Sequence, residues 1–319
     1  MALRAEAISK RRKNGWVLRD VSFTAESGAV FGIFGPAGAG KNTLLHVLAG
    51  HEKPGSGELS YDDDATGTPR RTRLVQSHEW ASLRNILKGG GPERSRGKEQ
   101  LAAIEGALAS DVHLLLFNEA FSLLDCDLRS DLYGKIREQA AANNICVVTA
   151  TADFNEVLEF CDSVAVLSGG EIVRTGSPHD VYGAPTSSLI ARLTGRIVLI
   201  EARRLSSSKA DVPEFQSIKG SHILRTKKFE RSELGALNQN VLFGIRPEHI
   251  SISTGASFPE DNLLKAVITD VKFLGPSTLV MLDANGLTIQ ALVMRLVGLR
   301  PGDECMVGLP PDRLMIFPE

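Results

Sequence analysis

The sequence predicts an α/β domain built on a parallel sheet, followed by an all-β domain. Three observations carry this. Up to about Gly195, strand-like apolar runs alternate with helix-like segments, the pattern of parallel strands joined by crossover helices. Beyond Gly195 the texture changes to short strands separated by turns. Between an apolar run and a helix-like pattern stands Gly35-Pro36-Ala37-Gly38-Ala39-Gly40-Lys41, a turn whose spacing suits a phosphate. The expected domains are residues 1–195 and 196–319.

The elements follow in order. "WVLRDVSFTAESGAVFGIFG" reads as alternating strands with a turn at Ser27–Gly28. Gly40 to Gly50 reads as a helix with Leu44, Leu45, Val47 and Leu48 on its apolar face and Gly50 as C-cap. "GSGELSYDDD" is a turn, a short strand and an acidic loop, and "RRTRLVQ" holds a strand ending at Gln76. The glycine-rich, charged stretch Leu87–Lys98 reads as a loop, and Glu99–Ser110 as a helix. "VHLLLFNEA" and "ICVVTATAD" are buried strands flanking the helix "DLRSDLYGKIREQAAANN". A helix Phe154–Cys161, a hairpin "SVAVLSGGEIVRTG" and a helix Pro178–Thr194 close the first domain. In the second, seven strand segments run from "RIVLIEARR" to "ECMVGLPPDRLMIFP" and predict a barrel or sandwich, with one polar, Ser-rich stretch, "EARRLSSSKADVPEFQSIKG".

Bulk properties narrow the function. The net charge is −2 and the pI about 6.4, which gives no electrostatic case for nucleic acid or an anionic membrane as main partner. Cys126, Cys146, Cys161 and Cys305 show no CxxC pairing and read as buried free thiols. The N-terminal stretch lacks an apolar core, so no signal peptide is expected, and no apolar run is long enough for a membrane-spanning helix.

The physics of the glycine turn is specific. Glycines let backbone N–H groups face phosphate oxygens, the following helix offers its positive end, and Lys41 reaches the β and γ phosphates. The residue after the lysine would supply a hydroxyl to Mg²⁺, but here it is Asn42, with Thr43 next.

The order of the remaining segments carries a resemblance. "LLLFNEAFSLLDCDLR" is similar to the Walker B and D-loop run LLLLDEPLSALDAKLR, and "VLSGGEIVRTGSPHDVYGAPTS" to the segment closing the same ATPase domain. "VLFGIRPEHI" and "LRPGDECMVGLPPDRLMIF" are similar to parts of its C-terminal regulatory domain. In this order they resemble the ATP-binding subunit of ABC importers, of the maltose and glycerol-phosphate uptake type. The resemblance implies a P-loop ABC-type domain followed by an OB-like TOBE domain, with ATP and Mg²⁺ as ligands. It also implies permease subunits in the membrane, a solute-binding protein reached through them, and a peripheral place on the cytoplasmic face.

Carried over residue by residue, the resemblance makes Gly35 to Thr43 the phosphate cradle and Glu119 the general-base position. Gln76 becomes the Q-loop glutamine, and Asn42, Gln76 and Asn118 a weakened Mg²⁺ set. Asp125 becomes the D-loop aspartate, and Arg12 stands where an aromatic usually stacks on adenine, with Trp16 nearby. The family's signature falls at Ser95, Arg96 and Gly97, with Arg96 in place of a glycine; the arginine either blocks close backbone approach or supplies a new phosphate partner. Leu167–Gly170 imitates that signature, but it follows Walker B, where the family has a hairpin turn.

The departures point one way. Asn118 replaces the Walker B aspartate, Ala152 replaces the switch histidine, and Ser95 follows Gln76 by only nineteen positions (95 − 76), too few for the usual helical subdomain. Very slow or no hydrolysis is expected of a homodimer, because metal and base terms are each worth orders of magnitude in rate. Three readings follow: a degenerate importer subunit paired with an intact second ATPase, a soluble regulatory or scaffold protein, and an ordinary active importer ATPase.

Overall fold

The computed structural model describes residues 2–61, 71–76, 96–205, 213–227, 229, 236–255, 261–295 and 298–317. The acidic loop after Tyr61, the segment 77–95 with Ser95 and the expected short helical arm, and residues 206–212 of the Ser-rich stretch lie outside the described residues. The chain divides into two compact units, Met1–Gly183 and Ala184–Glu319.

The first unit is mixed α/β. Its main sheet has six strands, β5 (Thr72–Gln76), β6 (Leu114–Asn118), β7 (Cys146–Thr151), β3 (Val30–Phe34), β8 (Ser163–Ser168) and β9 (Glu171–Gly176), in that order. All adjacent pairs are parallel except the last, β8–β9. The expected parallel sheet is therefore present, with one antiparallel edge. The strands β3, β6 and β7 are buried almost throughout, which is why they read as continuous apolar runs rather than as alternation. Gly169 and Gly170 join β8 to β9 with φ of 59° and 86°, a two-residue turn with both residues left-handed. The signature look-alike is thus a hairpin turn, as expected.

A second sheet, antiparallel in the order β2-β1-β4, adds a strand that the sequence reading omits: β1 (Ala2–Arg12) pairs with β2 (Gly15–Glu26) and with β4 (Ser56–Tyr61). Its inward residues Leu3, Ala5 and Ile8 change phase at Ala7, where φ is 53° and both ladders shift register. That bulge hides the period-two signal. The helix α1 (Lys41–Leu48) buries Leu44, Leu45, Val47 and Leu48 in one core with residues from both sheets.

Three local expectations are corrected. The helix α2 runs Arg96–Leu108, so Arg96, Gly97 and Lys98 belong to a helix and not to the loop; Glu99 sits in its first turn, where the helix dipole favours an acid. The single helix expected over Pro178–Thr194 is two, Pro178–Gly183 and Ser188–Thr194. Pro185 cannot donate to a continuing helix, and Ser187 caps the second one by accepting from Ile190 N. Cys126 is exposed, whereas the other three cysteines are buried as expected.

The second unit holds two five-stranded antiparallel sheets. Their orders are β12 (Ile223–Arg225), β11 (Glu214–Ser217), β10 (Val198–Arg204), β13 (Asn240–Ile245), β19 (Met315–Phe317), and β14 (Ser251–Ser253), β18 (Glu304–Leu309), β15 (Asn262–Phe273), β16 (Thr278–Ala284), β17 (Leu287–Val293). Residues of both sheets share one hydrophobic core, with Phe215, Phe243, Leu282 and Ile289 fully buried. Strand β11 lies within the stretch read as polar and Ser-rich, because only Phe215 and Ser217 of its four residues face inward. The boundary falls after Gly183, earlier than the change of texture at Gly195. One cause is visible: the buried Arg246 donates to Ala191 O, Arg196 O and Thr194 Oγ1 at 2.8–3.0 Å and so ties the helix Ser188–Thr194 to the β unit.

Candidate functional site

At the C-terminal ends of β3 and β6 the first unit opens a cleft of about 390 Å³, lined by Val17, residues 37–43, Gln76, Asn118 and Glu119. Its floor is the turn between β3 and α1. Gly40 has φ 107°, and a Cβ there would meet Val17 O at 2.7 Å; a Cβ on Gly35 would run into the carbonyl of Leu167. These two positions are therefore held to glycine by the neighbouring backbone. The N-terminus of α1 has no side-chain cap, so its first backbone N–H groups have no side-chain acceptor in this arrangement.

Lys41 is buried, and its Nζ donates to Gly35 O at 2.7 Å and Pro36 O at 3.2 Å while standing 3.7 Å from Glu119 Oε1. Burial pushes its ammonium below the ordinary value, and the Glu119 carboxylate pulls it partly back. The ammonium is held inside the loop, so an incoming anion competes with Glu119 for it. Glu119 itself is half exposed, and its backbone is left-handed, with φ 49° and N–H donating to Ala150 O at 2.9 Å. A non-glycine residue held in that region is uncommon.

The three residues expected to form the weakened metal set lie along the same cleft, and all three are bonded to other side chains. Asn118 Nδ2 donates to Asn42 Oδ1 at 2.9 Å. Gln76 Nε2 lies 2.9 Å from His46 Nε2, on α1, where the ring nitrogen accepts from the amide. Among the described residues no group of three or more His, Cys, Asp or Glu side chains is placed to hold a metal.

The other expected site residues are placed apart from these contacts. Arg12 Nη2 donates to both oxygens of Glu52, at 2.7 and 2.9 Å, so its guanidinium is already paired. Trp16, 49% exposed and covered on one face by Arg11, is the aromatic next to the cleft residue Val17. Asp125 is the N-cap of the helix α3 (Cys126–Asn143), accepting from Leu128 N at 2.9 Å. Gly97 lies in the first turn of α2, where a Cβ would come 3.2 Å from Leu123 O. Ala152 follows the end of β7 and offers no side chain to a phosphate. Past it, Asp153 caps the helix α4 (Phe154–Phe160), and the buried Glu156 accepts from Thr149 and Thr151, each at 3.1 Å. Burial raises the Glu156 carboxyl to about 7.

Sequence reasoning missed His46, which engages Gln76, and Glu156. A histidine on the polar side of a helix gives no signal of its own; the signal for Glu156 was a charged residue inside an otherwise buried helical pattern.

The ligands implied by the resemblance are ATP and Mg²⁺. The cradle fits a phosphate chain: glycines whose Cβ would clash, a buried lysine and an uncapped helix start. The donor set does not fit Mg²⁺ well, since no carboxylate stands at 42, 76 or 118 and the Asn42 oxygen already accepts from Asn118.

Comparison with known proteins agrees with the fold. Residues 18–88 match the ABC transporter family model, and residues 243–317 match the TOBE domain model. An Fe(3+) ions import ATP-binding protein, FbpC 1, of Rhodococcus jostii is 27% identical over 347 aligned positions, covering 95% of each chain. FbpC of Photorhabdus laumondii is also 27% identical, over 98% of this chain and 96% of its own. A solved ATP-binding subunit of an ABC transporter is 22% identical, with a TM-score of 0.48, over 61% of this chain and all of that one. ABC transporter ATPases bind ATP with Mg²⁺. This chain carries an ABC transporter ATP-binding domain followed by a TOBE domain.

Proposed function

We propose that the protein is the ATP-binding subunit of an ABC importer, seated at the cytoplasmic face of the membrane beneath permease subunits. In this reading it pairs with a second, intact ATPase subunit, and the partner carries most or all of the hydrolysis. The observation that carries the importer reading is the end-to-end likeness to importer ATP-binding proteins, which spans 95% or more of both chains and includes the TOBE region. The absence of a helix long and apolar enough to cross a membrane among the described residues suits a peripheral subunit.

The chemistry supports a silent or slow site. Mg²⁺ ligation, the γ-phosphate switch at Ala152 and the signature at Arg96 all depart from the family pattern together, while Glu119 keeps the base position. The alignment of 347 positions to a chain of 319 residues leaves at least 28 (347 − 319) without a counterpart here, which suits a shortened segment. A silent site is useful only beside a working one, hence the heterodimer. Two relatives named for Fe(3+) import favour ferric iron as the transported solute over the sugar, polyol or glycerol phosphate that the sequence resemblance suggested.

The test is capture of the full chain from gently solubilised native membranes, with co-purifying proteins identified by mass spectrometry. The expected set is a permease and a second ATPase with intact Walker B and signature. Recovery without any membrane partner overturns the subunit reading in favour of a regulatory or scaffold role.

A further inference from the structure

We infer that the cleft takes the phosphate chain of a nucleoside triphosphate as the free anion, with the Asn42–Asn118 amide pair standing in place of the metal. The inference rests on the reading of the cleft as a nucleotide site.

The two substitutions are coupled in space although 76 residues apart (118 − 42): Asn118 Nδ2 donates to Asn42 Oδ1 at 2.9 Å. If both amides are turned over, the pair still presents one N–H and one oxygen to each other. For both to face a cation with oxygen, this bond must break and two carbonyl dipoles must point together. Asn118 brings no charge where a carboxylate would stand, and the neighbouring Glu119 carboxylate faces the Lys41 ammonium at 3.7 Å. Mg²⁺ sheds its water reluctantly and demands oxygen ligands in octahedral array, so neutral amides already bonded to each other make a poor site. Gln76, whose Nε2 is held by His46 at 2.9 Å, brings only a neutral amide oxygen and no charge.

The same changes suit a bare polyphosphate. A carboxylate at 118 beside an unscreened phosphate would repel it, whereas the neutral amide keeps a second N–H after bonding Asn42. That donor lines the cleft together with Lys41 and the uncapped start of α1. The single negative charge absent at 118 offsets half of the double positive charge lost with the metal, and the phosphate sees N–H groups where the family presents an ion.

The test is equilibrium binding of a fluorescent ATP analogue to the full chain, in excess Mg²⁺ and in EDTA, with Lys41→Ala as the blank. A thermal melt of each variant confirms that it is folded. The wild-type Kd is expected to agree between the two media within about threefold. Asn118→Asp, nearly isosteric, is expected to bind about tenfold more weakly in EDTA and to regain affinity with Mg²⁺. A wild-type affinity that falls about tenfold or more in EDTA overturns the inference and leaves the cleft a nucleotide site. Absence of binding in both media overturns it too, together with the nucleotide part of the proposed function. The membrane capture then still decides the subunit part.

Discussion

The two ends of the phosphate cleft differ in what holds their residues in place. At the loop, Gly35 and Gly40 face backbone carbonyls of Leu167 and Val17, so any side chain there collides with the fold itself. At the metal corner, Asn42 and Asn118 meet at the surface, and among the described residues their side chains bond to each other. The loop is preserved by packing whatever the site does, but the corner is preserved only by chemistry. A chain that loses the chemistry can therefore keep a recognisable phosphate loop for structural reasons alone.

The sharpest way to break this comparison is to substitute at both ends. Gly35→Ala pushes a methyl into the Leu167 carbonyl and is expected to cost about 3 kcal/mol or more, or to prevent folding, as read by chemical denaturation. A loss under about 1 kcal/mol would show that the loop is not packing-bound.

Glu156 extends the comparison to a charged residue inside a buried helical face. Its carboxyl is raised by burial from 4.5 to about 7, so the folded state holds a proton that the unfolded chain has released. Its stabilising contribution is complete below about pH 4.5 and is lost as pH rises through about 7. At pH 8 the penalty is on the order of 3 kcal/mol. Glu156→Gln is expected to stabilise the protein above pH 7, with the gain fading toward pH 4.5. Melting curves across that range measure it, and a pH-independent difference would contradict the account.

Smaller effects belong to the corner. Asn118→Ala removes one exposed hydrogen bond and is expected to cost about 0.5–1.5 kcal/mol at most, in the same denaturation assay. Glu119→Gln frees Lys41 from a carboxylate 3.7 Å away and is expected to tighten nucleotide binding a few-fold, by titration. Weaker binding would mean that Glu119 positions the lysine rather than competing for it.

The sequence made the main sheet and the loop legible because both are governed by local rules: unbroken apolar runs for β3, β6 and β7, and glycine spacing for the turn. It failed where one residue interrupts a pattern or a partner is distant. Ala7 breaks the alternation of β1, Pro185 splits a helix that periodicity alone continues, and β11 shows too few inward residues to be seen. At the site, the substitutions at 42 and 118 were plain as departures, but their bond spans too much sequence to be read from it, as does the hold of His46 on Gln76.

The central claim is that this phosphate cleft is catalytically silent. The most direct measurement is phosphate release from ATP by the purified chain in excess Mg²⁺, set beside Lys41→Ala. The account predicts equal, background rates for the two. A wild-type rate about tenfold or more above the variant would contradict it and make the chain a working ATPase.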